Sequence, residues 1–473
     1  AGAELRANFT ADGALASVSS TLIPAEPDTK TAPVWMAPET ALAAALANIG
    51  ATVKGAAIAG KEGDWLVFGG AKNAADAPRV RKIYFPVTRD RIVAAWTALT
   101  PNPGTPDVYE MAVDAGDGTV LQRFNQTAYQ TEPVTMTVWT GASPAPMAPG
   151  PAAPSTYIPP YVDRETLTLL LDNPVNGAAS PTGWLDDGVN LLSGNSTNAY
   201  TDHDDSDSPD EPRTEGNPAR TFDFPVDFGA APYDYADASV TQLFYYCSWM
   251  HDRLYELGFD EAAGNFQEVN FTGEGLGGDA VQAEAQDGGG IDNANFSTPS
   301  DGYPGRMQMY LFSSSDPMLD GALDATIVLH EYTHGLSNRL AGPGGLGTTQ
   351  ARSLGEGWSD FYALSLLSKA TDKLSGNYAE AAYVTQNYYF GIRRFPYSTN
   401  KRVNPITFAD VDNTLMSFPS DVPYQSNGAN AGEVHNAGEF WCQALWDCRA
   451  ALIGKHGFEG NQIMLQLTTD GMK

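Results

Sequence analysis

Two histidines and a glutamate carry the most specific chemical pattern in this sequence. His330 and His334 are four positions apart, and Glu331 directly follows the first histidine. On an α-helix, side chains at this spacing lie about 40° apart around the axis and about 6 Å apart along it. Both imidazoles can therefore reach one metal ion from the same face. The pattern predicts a zinc site with a general base beside it.

A buried helix is predicted to carry these residues. Residues 319–340 form the predicted helix, and an apolar run leads into the first histidine. Glycine and proline at 341–345 then end it, as is usual after a helix. A purely structural function for the three polar residues is the weaker interpretation, because burying them without partners is costly.

A catalytic zinc site also needs a third protein ligand and an open fourth position. The next strong segment, 353–367, predicts a second amphipathic helix on which Glu356 and Asp360 are again four positions apart. We assign Glu356 as the third ligand, because its distance from His334 along the chain leaves room for a returning helix. Asp360 is predicted to accept the second ring N–H of a ligand histidine and so to fix its tautomer. The alternative for both acids is an ordinary solvated helix face.

Longer motifs resemble the fungalysin family of secreted, thermolysin-like metallopeptidases. The motifs are HEYTHG at 330–335, GEGWSD at 355–360, GFDEAAGNFQ at 258–267 and RMQM at 306–309. They occur in the family's order, and the likeness extends from about residue 172 to the end. The resemblance implies a secreted zinc endopeptidase that is made as a zymogen and hydrolyses polypeptides.

The resemblance also implies functions for residues outside the zinc motif. His435 is similar to the family's third essential histidine, which is not a ligand and donates a hydrogen bond to the oxyanion. The alternative is a surface histidine near the start of a helix. Asn293 and Ala294 are expected on an edge strand that holds the substrate backbone. Arg393 and Arg394 lie in a stretch that lines the family's cleft, and either could contact a substrate carbonyl.

The first part of the chain, residues 1–132, has a different character. It contains an Ala-rich helix at 38–50 and a predicted hairpin at 108–124. This part is similar to a fungalysin propeptide with a PepSY-like hairpin, which implies an intramolecular inhibitor and folding aid removed near 124–154. The alternatives are a small α+β domain of another purpose and a permanent substrate-binding domain. Residues 133–160 are Pro-rich and predict an extended linker or a surface loop.

The predicted fold class is therefore α+β, with a PepSY-like prodomain before a thermolysin-like catalytic domain. Residues 161–326 are expected to form the β-rich half of the catalytic domain and residues 327–473 its helical half. Family members usually continue through another helical segment, so we expect the C-terminus to be truncated here.

The composition is strongly acidic, with 27 Lys and Arg against 57 Asp and Glu and a formal net charge of −30. This charge repels phosphate, which argues against nucleic-acid partners. No apolar run is long enough to predict a membrane span. We expect a monomer.

The loop at 201–211 predicts either a Ca²⁺ site or a solvated loop, and the candidate ligands are Asp202, Asp204, Asp205, Asp207 and Asp210.

Two further expectations concern residues that do not fit the metal motif. His251, on a helix predicted over 237–257, is interpreted as a hydrogen-bonded core histidine. The three cysteines, an odd number, leave at least one free thiol.

The alternative to an enzyme is a catalytically silent metal-binding or inhibitory protein. Glu331 argues against it, because a structural zinc site needs no general base.

Overall fold

The structure is a computed structural model that describes most of the chain. The described residues are 5–9, 15–20, 34–52, 57–69, 77–88, 91–102, 107–125, 132–170, 176–342, 345–412 and 431–473. They form two compact units. Unit 1 contains residues 1–128 with 271–274, and unit 2 contains residues 129–270 and 275–473. Each unit has its own buried core. The structure contains both strand-rich and helical regions.

The described residues of unit 1 form a short hairpin, a helix and an antiparallel sheet. The hairpin pairs β1 (Leu5–Phe9) with β2 (Leu15–Ser20), and the helix is α1 (Pro38–Asn48). The six strands of the sheet, in their order across it, are β3 (Ile58–Glu62), β4 (Trp65–Phe68), β5 (Arg79–Thr88), β6 (Arg91–Pro101), β7 (Val108–Asp114) and β8 (Val120–Asn125). The hairpin predicted at 108–124 is present as the antiparallel pair β7–β8.

The core of unit 1 lies between α1 and this sheet. Leu42 and Leu46, one helical turn apart, are both buried, and they belong to the same core as Trp96 and Met111. Proline at the first position suits the start of α1, because the first N–H groups of a helix have no intrahelical partner. Unit 1 is thus a small α+β unit with its own apolar core.

The N-terminal half of unit 2 is rich in short strands. Its elements in chain order are β9 (Val134–Val138), β10 (Glu165–Leu169), β11 (Thr197–Thr201), β12 (Thr221–Phe222), α2 (Ala236–Glu256), β13 (Val281–Ala285), β14 (Ala294–Ser297), β15 (Arg306–Met309), β16 (Leu311–Phe312) and β17 (Leu319–Asp320). One sheet has the order β10-β9-β12, another the order β11-β13-β15-β14, and β16 pairs with β17. In the second sheet β14 is an edge strand.

The segment 133–160 is not the free linker that its proline content predicts. β9 is the central strand of a three-stranded sheet, and its residues are alternately buried and half-buried. Farther along, the N–H of Gly150 donates to the carbonyl of Asn377 at 2.7 Å. The alternation of valine, methionine and threonine in β9 is the period-two pattern of a strand, and it outweighs the prolines that follow. The segment is therefore part of unit 2.

The C-terminal half of unit 2 is helical. Its helices are α3 (Ala325–Leu340), α4 (Thr349–Leu367), α5 (Ala382–Thr385), α6 (Val434–His456) and α7 (Glu459–Met472). The helix predicted from residue 319 begins at Ala325 instead. The Asp324 carboxylate sets this start by accepting hydrogen bonds from the Thr326 N–H at 3.1 Å and hydroxyl at 2.7 Å. None of the helices in the described ranges is long and apolar enough to cross a membrane.

His251 and the cysteines occupy positions that agree with the sequence-based expectations. His251 is buried in α2 and bonds through its two ring nitrogens to Asp252 at 3.0 Å and Gln267 at 3.1 Å. It is therefore a core histidine. All three cysteines are free thiols: Cys247 and Cys442 are buried, and Cys448 is exposed.

Candidate metal centre and active site

α3 brings its two histidines together on one face. The Nε2 atoms of His330 and His334 lie 3.1 Å apart. At most one of two nitrogens this close can carry a proton between them, so at least one lone pair points into the gap. Burial lowers the pKa of His334 to about 4, which keeps this ring neutral and able to bind a cation.

Glu356 of α4 completes a set of three donors. Its Oε2 atom is 3.2 Å from the Nε2 of His330, and its Oε1 atom is 3.7 Å from the Nε2 of His334. Ligands held at about 2.0–2.2 Å around a tetrahedral zinc ion would be separated by roughly 3.4 Å, which is close to these distances. Oε2 is buried and forms no hydrogen bond within the described part of the chain. The two imidazoles and this carboxylate therefore fit a zinc ion.

The remaining ring nitrogens of the two histidines are also occupied. The Nδ1 of His330 lies 2.7 Å from Oδ1 of Asp360, as the sequence predicted for that acid. The Nδ1 of His334 lies 3.3 Å from the hydroxyl of Ser359, a partner that we did not predict. The Asp360 carboxylate can only accept, so it favours a proton on Nδ1 of His330 and leaves its Nε2 free for a metal. The Ser359 hydroxyl can accept from Nδ1 of His334 in the same way.

Asp360 is itself held by several donors. Arg393 donates to its two carboxylate oxygens at 2.7 Å each, and the Tyr397 hydroxyl also donates to it. Although burial favours the neutral acid, Arg393 and His330 hold the pKa of Asp360 well below its ordinary value. For His330 burial opposes the charged form, but the hydrogen bond to Asp360 and the nearby Glu356 hold its pKa well above the ordinary value.

Two glycines allow α4 and α6 to approach closely at this centre. Gly357 directly follows Glu356, and a Cβ placed on it would lie 2.6 Å from the carbonyl oxygen of Gly438. A Cβ on Gly438 would lie 2.7 Å from the Cβ of Glu356. No side chain fits at these distances, so glycine at both positions lets the two helices place their polar groups together.

Glu331 is the buried acid beside the three donors. It lines a cavity of about 720 Å³ together with both histidines and Glu356. Its Oε2 atom is buried without a hydrogen-bond partner among the described residues. Burial raises the pKa of Glu331 to about 7. A carboxyl group with a free oxygen and this pKa can accept and return a proton near neutral pH.

His435 approaches the same centre from the first turn of α6. Its Nδ1 lies 2.8 Å from Oε1 of Glu433, and its Nε2 lies 3.5 Å from Oε2 of Glu356. Burial opposes its charge, but the bond to Glu433 outweighs burial and raises the pKa of His435. Its side chain is 35% exposed and lines the cavity, so Nε2 can donate to a bound molecule. The sequence analysis did not predict this contact of Glu433 with His435. An acid two residues before the histidine was a signal that could have indicated it.

The edge strand forms another wall of the cavity. Asn293 and Ala294 both line it, and β14 begins at Ala294. An edge strand has backbone N–H and C=O groups that an added strand can pair with. Ala294 therefore lies on an edge strand as expected, whereas Asn293 lies just before that strand, and both residues line the cavity.

The two neighbouring arginines differ in their surroundings. Arg393 is one of the residues that line the cavity, and its side chain donates to Asp360. Arg394 is not among the described lining residues: it donates to the Glu439 carboxylate at 2.7 Å and to the carbonyl of Asn436. The sequence left open which arginine contacts a substrate, and the structure favours Arg393, because Arg394 is buried and bonded to the protein itself.

The acidic loop lies in the β-rich half of unit 2. Asp202 is fully buried and accepts the N–H groups of Ser206 at 2.9 Å and Asp207 at 2.8 Å. Arg306 already neutralises part of the cluster, since it lies 2.6 Å from Asp207 and 3.2 Å from Glu284. Ca²⁺ binding by Asp202, Asp204, Asp205, Asp207 and Asp210 therefore stays a prediction.

Comparison with known proteins identifies a family and relatives for this chain. Residues 160–473 match the sequence profile of the family described as fungalysin metallopeptidase (M36). Extracellular metalloproteinase 1 of Arthroderma gypseum is 38% identical over 325 residues, which cover 64% of this chain and 49% of that protein. Extracellular metalloproteinase MEP of Pyricularia oryzae is 38% identical over 327 residues, with coverages of 64% and 49%. The chain spans about half the length of the curated relatives it matches.

Proposed function

Since this chain belongs to the fungalysin family of metallopeptidases, we propose that it is a zinc endopeptidase that hydrolyses peptide bonds of proteins. The observation that carries this proposal is the buried, unpartnered oxygen of Glu331 beside three metal donors that face one cavity. Relatives are named extracellular metalloproteinases, which supports secretion of this protein as well.

Each polar residue of the cavity then has a distinct task. His330, His334 and Glu356 would hold the zinc ion, which when bound acts as a Lewis acid and lowers the pKa of water to about 7. Glu331 accepts a proton from the attacking water and passes it to the leaving amine. His435 donates a hydrogen bond to the carbonyl oxygen as negative charge develops there.

The remaining residues position the substrate and the ligands. Asn293 and the edge strand that begins at Ala294 bind an extended peptide backbone. Arg393 and Asp360 orient His330, and the Arg393 side chain also faces the bound peptide. A catalytically silent metal-binding protein is the second candidate. It is the weaker one, because it gives no function to the buried Glu331 and its unpartnered Oε2 atom.

Digestion of casein with and without a zinc chelator tests the function. We expect hydrolysis to stop once zinc is removed and to return when stoichiometric zinc is added, because zinc polarises the carbonyl. Elemental analysis of the same samples should follow activity. Full casein digestion by a preparation shown to be metal-free would contradict a metallopeptidase.

Replacing Asp360 with Asn should lower zinc affinity or kcat/KM by about 10- to 100-fold, because the amide is a weaker partner for the His330 N–H. Competition with a chelator of known affinity gives the zinc affinity. The change also leaves Arg393 without its buried counter-charge, which should destabilise the variant. Wild type and Asp360→Asn are therefore assayed at a temperature below the unfolding transition of the variant. Glu459→Gln, an exposed change in α7, is the control of equal charge. Wild-type affinity and turnover in Asp360→Asn would leave that acid without this function.

We also propose that unit 1 is a propeptide that inhibits the catalytic unit and assists its folding. Its separate core and its resemblance to the family's propeptide support this proposal. Because β9 is the central strand of a sheet in unit 2, the cut is expected before Val134 and not within 134–154. A covalently joined inhibitor acts at high effective concentration, so cutting the chain relieves inhibition even when affinity is modest.

Cleavage of the intact chain should therefore raise peptide hydrolysis by about tenfold or more. The test replaces residues 126–131 with the recognition sequence of a specific protease and measures peptide hydrolysis before and after cutting. The unaltered chain treated with the same protease is the control. Full activity of the uncut chain would instead favour a permanent substrate-binding domain.

A further inference from the structure

Glu380 is a buried acid in the cavity wall that the proposed reaction does not use. The residue is 2% exposed and lines the cavity. Neither of its carboxyl oxygens has a hydrogen-bond partner in the described part of the chain. Buried polar side chains are nearly always hydrogen-bonded, so two unpartnered oxygens in one carboxyl group require an explanation.

The backbone around Glu380 is held firmly. Its carbonyl accepts the N–H of Ile392 at 3.0 Å, and the residue bridges to Gly391. The next N–H, of Ala381, donates to the Thr326 hydroxyl at 2.9 Å, which ties this wall to the start of α3. A side chain on such a fixed backbone is presented to the cavity in a defined place.

The carboxyl group lies next to the reacting centre. One of its oxygens is within 4.8 Å of a ring nitrogen of His330 and of a carboxylate oxygen of Asp360. Apolar side chains of Phe312, Ile327 and Ile392 line the same cavity. Glu380 thus adds a polar group to a wall that is otherwise suited to an apolar side chain.

A second metal ion does not explain this group. Although His330, Asp360 and Glu380 are close together, the Asp360 carboxylate already accepts hydrogen bonds from Arg393 and Tyr397. A cation placed among them would face the buried guanidinium of Arg393, which repels it. The free oxygens of Glu380 are better suited to a hydrogen-bond donor that arrives with the substrate.

We propose, on the basis of the peptidase function, that Glu380 determines specificity by accepting a hydrogen bond from a substrate side chain beside the cleaved bond. The favoured side chain ends in an N–H group, as lysine and glutamine do. A carboxyl group offers at least one acceptor oxygen whether it is charged or neutral. Methionine has a similar length but leaves Glu380 unbonded, and a polar site of this kind rejects such a substrate.

Four sets of quenched peptides test this proposal. They carry lysine, glutamine, methionine or leucine at each of the two positions that flank the cleaved bond, with the rest unchanged. At one of the two flanking positions, we expect wild-type enzyme to prefer lysine and glutamine. The kcat/KM for these peptides should be about tenfold or more above that for the methionine peptide. Glu380→Met should reverse this order, and Glu380→Gln should retain glutamine but lose the preference for lysine.

Asp292→Asn is the matched control for a change of charge in the cavity. Asp292 also lines the cavity, but both of its oxygens accept hydrogen bonds from Ser313 at 2.7 Å. It should therefore keep the wild-type order of substrates. Zinc content is measured for every variant.

Two results would overturn the proposal. One is equal cleavage of the lysine and methionine peptides by wild-type enzyme. The other is a loss in Glu380→Met that is the same factor for every peptide, because Glu380 would then act on His330 and Asp360 and not on substrate. Failure of wild-type enzyme to digest casein at all would contradict the peptidase function instead, so the two failures are distinguishable.

Discussion

Replacing Glu331 with Gln should lower kcat for peptide hydrolysis by about 10²- to 10⁴-fold while zinc stays bound. The carboxamide has nearly the same shape but cannot accept the proton of the attacking water. Metal binding should persist because His330, His334 and Glu356 are unchanged, and they alone form the proposed ligand set.

The measurement pairs single-turnover kinetics on a quenched peptide with the zinc content of the same preparation. Glu356→Gln is the matched comparison, because it removes a proposed ligand and should lower zinc content together with activity. The two variants therefore separate the general base from the ligand set. Wild-type turnover by zinc-loaded Glu331→Gln would remove the general-base assignment.

Replacing Gly438 with Ala should lower kcat/KM by about 100-fold, because displacement of about 1 Å at a catalytic group has effects of this size. The added Cβ would lie 2.7 Å from the Cβ of Glu356 and 2.8 Å from the carbonyl oxygen of Ser353. α6 must then move away from α4, and the contact between His435 and Glu356 is lost. Such overpacking should also lower the free energy of unfolding by about 1–3 kcal/mol.

Gly454→Ala is the control within the same helix. A Cβ at Gly454 meets no atom within 4 Å, so the change should leave activity unaltered and stabilise α6 by about 0.5–1 kcal/mol. Chemical denaturation gives both free energies of unfolding, and peptide hydrolysis gives both values of kcat/KM. If the two alanine variants behave alike, close approach of the helices does not position Glu356.

Local patterns in the sequence were sufficient to predict the helix that carries the histidines, although it begins at Ala325 and not at residue 319. His330 and His334 share a face because the α-helix has a fixed period, and any chain that is helical there places them together. The β7–β8 hairpin was predictable for the same reason, since a turn and two flanking strands are encoded within a few residues. Asp360 could be paired with one of the two motif histidines because its spacing from Glu356 repeats the spacing on α3, and the structure shows that this histidine is His330.

Tertiary structure alone decided which residues complete the cavity. Arg393 and Arg394 are adjacent in sequence, yet one faces the cavity and the other is buried against Glu439. Their side chains point in different directions, and only the packing of α4 and α6 shows which direction leads to the site. Glu380 lies near His330 because its backbone bridges to Gly391 and the next residue, Ala381, donates its N–H to the Thr326 hydroxyl, and no local pattern encodes these contacts. The sequence by itself determined, through helical periodicity, that the two histidines and Glu331 lie together, whereas long-range packing determined the walls of the cavity around them.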